Sequence, residues 1–195
     1  MKKIILLFAL IVGLPPLAQA QESIKIDPDR STLTWKGTSL FGFGGHEGTI
    51  KLKQGNFVKA DGKITGGAFV IDMTTIANTE GQYSTDLVAH LKNEDFFDVQ
   101  KYPTAKLVMT KIKYLSSMDR EVIPLRIDAN LTIKGITEPI QYSASIHTRQ
   151  KQITARLKID RTRWKVSFRS KSVGAGLKNQ IISDAIEFNV TLPLN

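Results

Sequence analysis

From Ile123 to Ile133 every second residue is apolar. Ile123, Leu125, Ile127, Ala129, Leu131 and Ile133 share one side, and Pro124, Arg126, Asp128, Asn130 and Thr132 take the other. A period of two is the mark of a β-strand, whose side chains point alternately to opposite faces of a sheet. The same alternation recurs in Leu33 and Trp35, in Ile50 and Leu52, and in Phe69, Ile71 and Met73. It continues through Ile140–Ile146, Ile153–Ile159 and Ile186–Leu194. Turn chemistry falls between the runs. Asp61-Gly62 is a strong hairpin signal, Lys134-Gly135 divides two clean strands, and Gly66-Gly67 reads as a bulge or tight bend. The pattern predicts one all-β, antiparallel domain of about eight strands, each with one apolar face. Such a sheet buries that face by closing into a barrel or by stacking a second sheet. Long strands such as Val122–Ile133 suit a tall barrel, yet alternation fits both. Closure at eight strands leaves an interior either filled by side chains or holding one ligand.

One stretch breaks the period. In Asp86–Met109 the spacing of Leu87, Val88 and Leu91 predicts a short α-helix, with Ser84 or Thr85 able to cap its start. Asp86 and Lys92 then complement the two ends of the helix dipole. Phe96, Phe97 and Tyr102 follow as an aromatic plug. Pro103 favours an extended Tyr102, and a strand begins at Thr104.

This stretch, His90-Leu-Lys-Asn-Glu-Asp-Phe-Phe-Asp-Val99 followed by Tyr102-Pro103, resembles the signature of the YceI-like family. Further fragments agree: IDPDRSTLTW near residue 26, GGAFVIDMTTI before the helix, LTIKGITEPI after it and the closing ISDAIEFNVTL. Lys92 stands where the family carries arginine. The resemblance implies a lipocalin-like antiparallel barrel, periplasmic or secreted, that holds a long apolar isoprenoid or similar lipid. It assigns no specific binding residue here.

Residues 1–20 read as a signal peptide. Lys2 and Lys3 precede an apolar run to Leu14, and Ala18-Gln19-Ala20 gives a cleavage site after Ala20. The run is shorter than the roughly 20 residues a spanning helix needs. The remaining segment, 21–195, is long enough for one domain. It contains no cysteine, so packing and sheet hydrogen bonds must hold an exported fold without disulfides. The formal charge of +9 is concentrated in Arg149–Lys171, where nine basic residues accompany Asp160 alone. Export makes nucleic acid an unsuitable partner. Two readings remain for this stretch: a solvated outer face, or peripheral attraction to anionic membrane, worth roughly 1 kcal/mol per basic residue.

No catalytic constellation is visible. His46, His90 and His147 lie in a loop, a helix and a strand, without ligand or triad spacing. His90 reads as a helix residue bonded to a nearby loop, and His46 beside Glu47 as a pair at a barrel mouth. We expect no enzyme and no metal site or cofactor beyond a bound isoprenoid or quinone. Phe41-Gly42-Phe43-Gly44-Gly45 reads either as a lip that admits a lipid or as a bend with both rings tucked inward. The expected ligand surface comprises Phe41 and Phe43 at the lip. Facing inward with them are Phe69, Ile71, Met73, Phe96, Phe97, Met109, Ile127, Leu131, Tyr142, Trp164, Phe168 and Phe188. The rival to a lipid carrier is a filled barrel that docks through its basic face. A hollow interior separates the two.

Overall fold

The computed structural model describes residues 21–39, 45–79, 84–170 and 182–194. The segment 1–20, with its expected leader, and the loop carrying Phe41 and Phe43 lie outside the described residues. Nine strands run β1 (Glu22–Lys25), β2 (Thr32–Ser39), β3 (Gly45–Ala60), β4 (Lys63–Asn78), β5 (Thr104–Tyr114), β6 (Val122–Ile133), β7 (Ile136–His147), β8 (Gln152–Asp160) and β9 (Ile182–Pro193). Helix α1 (Ser84–Lys92) joins β4 to β5, and a 3₁₀ turn (Arg161–Trp164) follows β8.

From β2 to β9 each strand pairs antiparallel with its neighbour in sequence, and β9 pairs with β2. The eight strands therefore close into an up-and-down barrel, not a sandwich, and closure removes the exposed edges that open sheets must protect. The four-residue β1 is an addition that sequence periodicity does not announce. It pairs with the second half of β3, from Asn56 to Lys59, beyond the part of β3 that pairs with β2.

The alternation read from the sequence is the inside–outside pattern of this barrel. Leu125, Ile127, Ala129, Leu131 and Ile133 are buried, whereas Arg126 and Asn130 are exposed. Asp61-Gly62 and Lys134-Gly135 both adopt paired positive φ values, 50° and 75° in one and 49° and 72° in the other. Those angles belong to the two-residue hairpin turn whose twist matches that of the strands. At Gly66 the expected bulge is present: Val58 pairs with Gly66 but Lys59 with Ile64, leaving Thr65 as the extra residue.

Antiparallel pairing sorts the connections into two ends. One end carries the Asp61-Gly62 turn, residues 115–121 and the 148–151 turn. There the Tyr114 hydroxyl accepts from the Ile64 N–H at 2.7 Å and donates to its carbonyl at 3.1 Å. The other end carries α1, the aromatic plug, the Lys134-Gly135 turn and the 3₁₀ turn. The helix and the aromatic plug that break the strand period both lie there.

Candidate binding cavity

Helix α1 is short for independent stability, and its apolar face holds it in place. Leu91 is buried and Leu87 and Val88 pack against the core. Asp86 lies in its first turn and Lys92 in its last, as the dipole favours. The chain then folds back on itself. The Phe97 N–H donates to the Leu91 carbonyl at 3.2 Å and the Val99 N–H to the Lys92 carbonyl at 2.9 Å. Asp98, in the left-handed region at φ 48°, offers its carbonyl to the N–H groups of Lys101 and Tyr102. Lys134 reaches across from the β6–β7 turn and donates through Nζ to the carbonyls of Glu94 (3.0 Å) and Phe96 (2.9 Å). The plug is thus tied to the barrel by backbone carbonyls. Phe96 and Phe97, edge to face at 4.9 Å, are presented inward.

The barrel is hollow. A cavity of about 630 Å³ fills its interior, within the usual range of about 300–1,000 Å³ for a small-molecule site. Its wall is the set of inward strand positions. Phe69, Ile71 and Met73 come from β4 and Met109 from β5. Ile127 and Leu131 come from β6, Tyr142 from β7 and Phe188 from β9; the plug adds Phe96 and Phe97, and Phe168 also contributes. All of these were expected to face inward. Trp164 was too, but it stands off the cavity wall. It is fully buried in the 3₁₀ turn and donates its indole N–H to the Leu131 carbonyl at 3.0 Å. An indole must place its N–H as well as its rings, and a backbone acceptor outside the lumen decided its position.

Several wall residues were not singled out beforehand. Trp35 alternates with its neighbours like an ordinary core position. Its indole donates to the carbonyls of Thr49 (3.3 Å) and Ala77 (3.2 Å) while the ring lines the cavity. Ile76 lies three residues from Met73, out of phase with the strand, because β4 bulges between them. Opposite Thr49 and Lys51 of β3 stand Ala77 and Asp72 of β4. The bulge is held by its own side chains. Asp72 Oδ1 accepts from the Thr74 N–H and hydroxyl, and the Thr75 hydroxyl accepts the Lys51 N–H at 2.9 Å. Meanwhile the Met73 N–H turns to the Pro103 carbonyl at 3.0 Å.

Polar groups on the wall are few and mostly gathered. Thr38, His46, His90, Arg161, Arg169 and Ser183 contribute at the helix-bearing end, and Tyr142 on β7 is the exception. Burial pushes the Tyr142 phenol up, so it stays protonated and neutral. Arg161 departs most from its expected setting. It falls within the basic stretch read as a solvated or membrane-attracted outer face, yet it is 1% exposed. Its guanidinium donates to the carbonyls of Val166 (2.7 Å), Ser183 (3.2 Å) and Ile182 (3.4 Å), faces Asp184 at 3.4 Å and lies over the Phe96 ring. Burial pulls its pKa down, and Asp184 followed by Asp160 offsets part of that. Three more residues of the stretch also pair with acids on neighbouring segments: Arg149 with Glu121, Lys158 with Glu187 and Arg163 with Glu138. The basic stretch is therefore less uniformly cationic than its sequence suggests.

His46 is exposed at the cavity rim, and its neighbour Glu47 pairs with Lys36 at 3.9 Å on the other strand face. His147 bonds the Thr154 hydroxyl at 2.9 Å. Among the described residues no group of three or more His, Cys, Asp or Glu side chains could hold a metal ion.

A sequence profile described as the YceI-like domain matches residues 24–194. A UPF0312 protein of Pseudomonas putida (strain W619) is 29% identical over 150 residues, covering 75% of this chain and 74% of its own length. A UPF0312 protein of Pseudomonas fluorescens (strain SBW25) is 27% identical over 146 residues, covering 72% of each. Among solved structures, Burkholderia cenocepacia BcnA superposes with a TM-score of 0.61 at 18% identity, covering 86% of this chain and 98% of that one. A polyisoprenoid binding domain from Saccharophagus degradans, implicated in plant cell wall breakdown, superposes with a TM-score of 0.54 at 12% identity. It covers 90% of this chain and 97% of that one. At these identities the two structures are alike in fold.

Proposed function

The chain belongs to the YceI-like family, and on that premise we propose that it is an exported binding protein that carries or sequesters a long apolar lipid inside its barrel. The observation that carries this reading is the cavity of about 630 Å³, walled by apolar strand faces from end to end. Along β2 the wall runs from Leu33 to Thr38, about 17 Å of strand at ~3.3 Å per residue. A slot of that shape suits a chain better than a compact ring system. Each methylene moved from water into it gains about 0.8 kcal/mol, against the cost of ordering a flexible tail. The hollow interior speaks against a filled docking module. The polyisoprenoid-binding description of the Saccharophagus relative supports a prenyl chain or isoprenoid quinone as occupant. We read the protein as a binder and not an enzyme, a reading supported by its YceI-like family and by the apolar lining of its cavity. Residues 1–20 act as the leader that sends it to the periplasm or medium, with cleavage after Ala20.

One experiment tests these points together: native mass spectrometry with organic extraction on protein purified from its own host's envelope. We expect a polypeptide mass beginning at Gln21 and one co-purifying apolar lipid per chain. A bare barrel that also refuses added prenyl chains and quinones would overturn the carrier reading. A chain that retains residues 1–20 would overturn export by this leader.

A further inference from the structure

A buried donor without an acceptor is rare in folded proteins, because its lost hydration is not repaid. Among the described residues two side-chain atoms are fully covered and unbonded: Asp184 Oδ1, which faces the Arg161 guanidinium at 3.4 Å, and His90 Nε2, which has no such partner. His90 also forms part of the cavity wall.

Its proton can be placed by following the bonds. The Asp95 N–H donates to Asn93 Oδ1 at 3.1 Å, which fixes the Asn93 amide with Nδ2 towards His90. That Nδ2 lies 3.3 Å from His90 Nδ1. An amide nitrogen can only donate, so Nδ1 accepts, and in the neutral ring the proton sits on Nε2. His90 therefore holds an unused N–H donor at the polar end of an apolar cavity. The Phe168 ring packs against the imidazole, centroids 4.3 Å apart at 61°, and Phe96 stands at 5.8 Å. Phe168 itself lines the cavity and is only partly buried, so its ring has open volume beside it.

Charge narrows the chemistry further. Arg161, the buried cation at this end, is already matched by Asp184 and three carbonyls. Arg169 lines the same end but is exposed and lies over the Phe168 ring, so it offers an anionic head a hydrated rim charge and no buried partner. An ammonium head would meet the like charges of Arg161 and Arg169. We propose that His90 is the headgroup anchor of the cavity. Its Nε2–H donates to the carbonyl oxygen of an uncharged lipid, the Phe168 ring moves aside to admit that oxygen, and the tail runs towards Leu33 and Leu192. This rests on the carrier reading above and specifies which lipids it admits.

The test uses the full mature chain and three probes with one prenyl tail: a methyl ketone, the hydrocarbon and a monophosphate, each competing against a fluorescent lipid. Wild type is expected to prefer ketone over hydrocarbon by about tenfold, the worth of one neutral hydrogen bond. His90→Phe should lower ketone affinity to the hydrocarbon level and leave hydrocarbon affinity unchanged. His90→Gln, whose amide can donate, should recover part of the preference. In ¹⁵N-histidine spectra the free protein should show the Nε2–H tautomer, with a shift on adding ketone but not hydrocarbon. Equal loss of both probes in His90→Phe would mean that His90 only packs, and would overturn the anchor. Tighter binding of the monophosphate, independent of His90, would overturn it in favour of an anionic head. Equal wild-type affinity for ketone and hydrocarbon overturns the anchor but leaves the carrier standing. No binding of either probe overturns both.

Discussion

Two hairpins with the same kind of turn build very different walls. In β6–β7 the register runs unbroken from Val122↔His147 to Ile133↔Ile136. In β3–β4 it shifts three times between Gly48↔Asn78 and Ala60↔Lys63. The regular hairpin obeys the period of two, so each inward residue is known once one is known. In the irregular hairpin bulges bend the sheet and glycines let other groups approach. A Cβ on Gly55 would stand 2.5 Å from the Phe69 ring, and one on Gly48 1.8 Å from the Ala77 carbonyl oxygen. Barrel closure needs both kinds of wall. The straight one supplies area, and the bent one supplies curvature and the room for large rings.

The largest expected effect in this comparison is at Gly48. Gly48→Ala drives a methyl group into backbone and towards Trp35, so we expect a loss of about 3 kcal/mol in denaturant melts. Gly66→Ala in the same hairpin, whose nearest neighbour atom would be 3.7 Å away, should stay within about 0.5 kcal/mol of wild type. If the two variants melt alike, the irregular hairpin is not held by close approach.

The turns give the next test. Gly62 and Gly135 share the left-handed region, so alanine at either costs roughly 1–2 kcal/mol in strain. A Cβ at Gly62 meets open space, whereas one at Gly135 comes within 3.1 Å of the Tyr102 ring of the plug. Gly135→Ala should therefore lower the melting temperature more than Gly62→Ala. It should also weaken lipid binding, because Lys134 in the same turn anchors the plug. Equal effects on both measurements would uncouple the β6–β7 turn from the cavity.

The smallest effect concerns the β4 bulge. The hydrogen bond from the Thr74 hydroxyl holds Asp72 below its ordinary value of 3.8, with burial opposing it. A carboxyl whose folded pKa is depressed contributes stability that is present above its unfolded pKa and is lost as pH falls through the folded value. Asp72→Asn should therefore flatten the stability–pH curve below about pH 4. Superimposable acid limbs for the two proteins would remove Asp72 as the clamp of that bulge.

Sequence reasoning worked where a single periodicity governed. It supplied the strand faces, the helix and its apolar residues, both hairpin turns, and eleven of the twelve described residues expected to face inward. It failed where a side chain answered to a distant partner. Trp164 followed a carbonyl on β6, and Arg161 left the solvated stretch for Asp184 and three carbonyls. Ile76 changed phase because β4 peels away to meet Pro103. His90 was read as bonded to a nearby loop, and the Asn93 contact is that bond. The unused nitrogen on its other side depends on Phe168, 78 residues further along the chain, and no local pattern encodes it.

By itself the sequence determined the class of fold, because alternation and turn propensity are properties of neighbours in the chain. Only the tertiary structure decided that β9 meets β2, that the closed sheet leaves about 630 Å³ unfilled, and that one ring nitrogen at its end lacks a partner. Closure, residual volume and hydrogen-bond satisfaction are sums over contacts between residues far apart in sequence. They take a value only when the whole barrel is assembled.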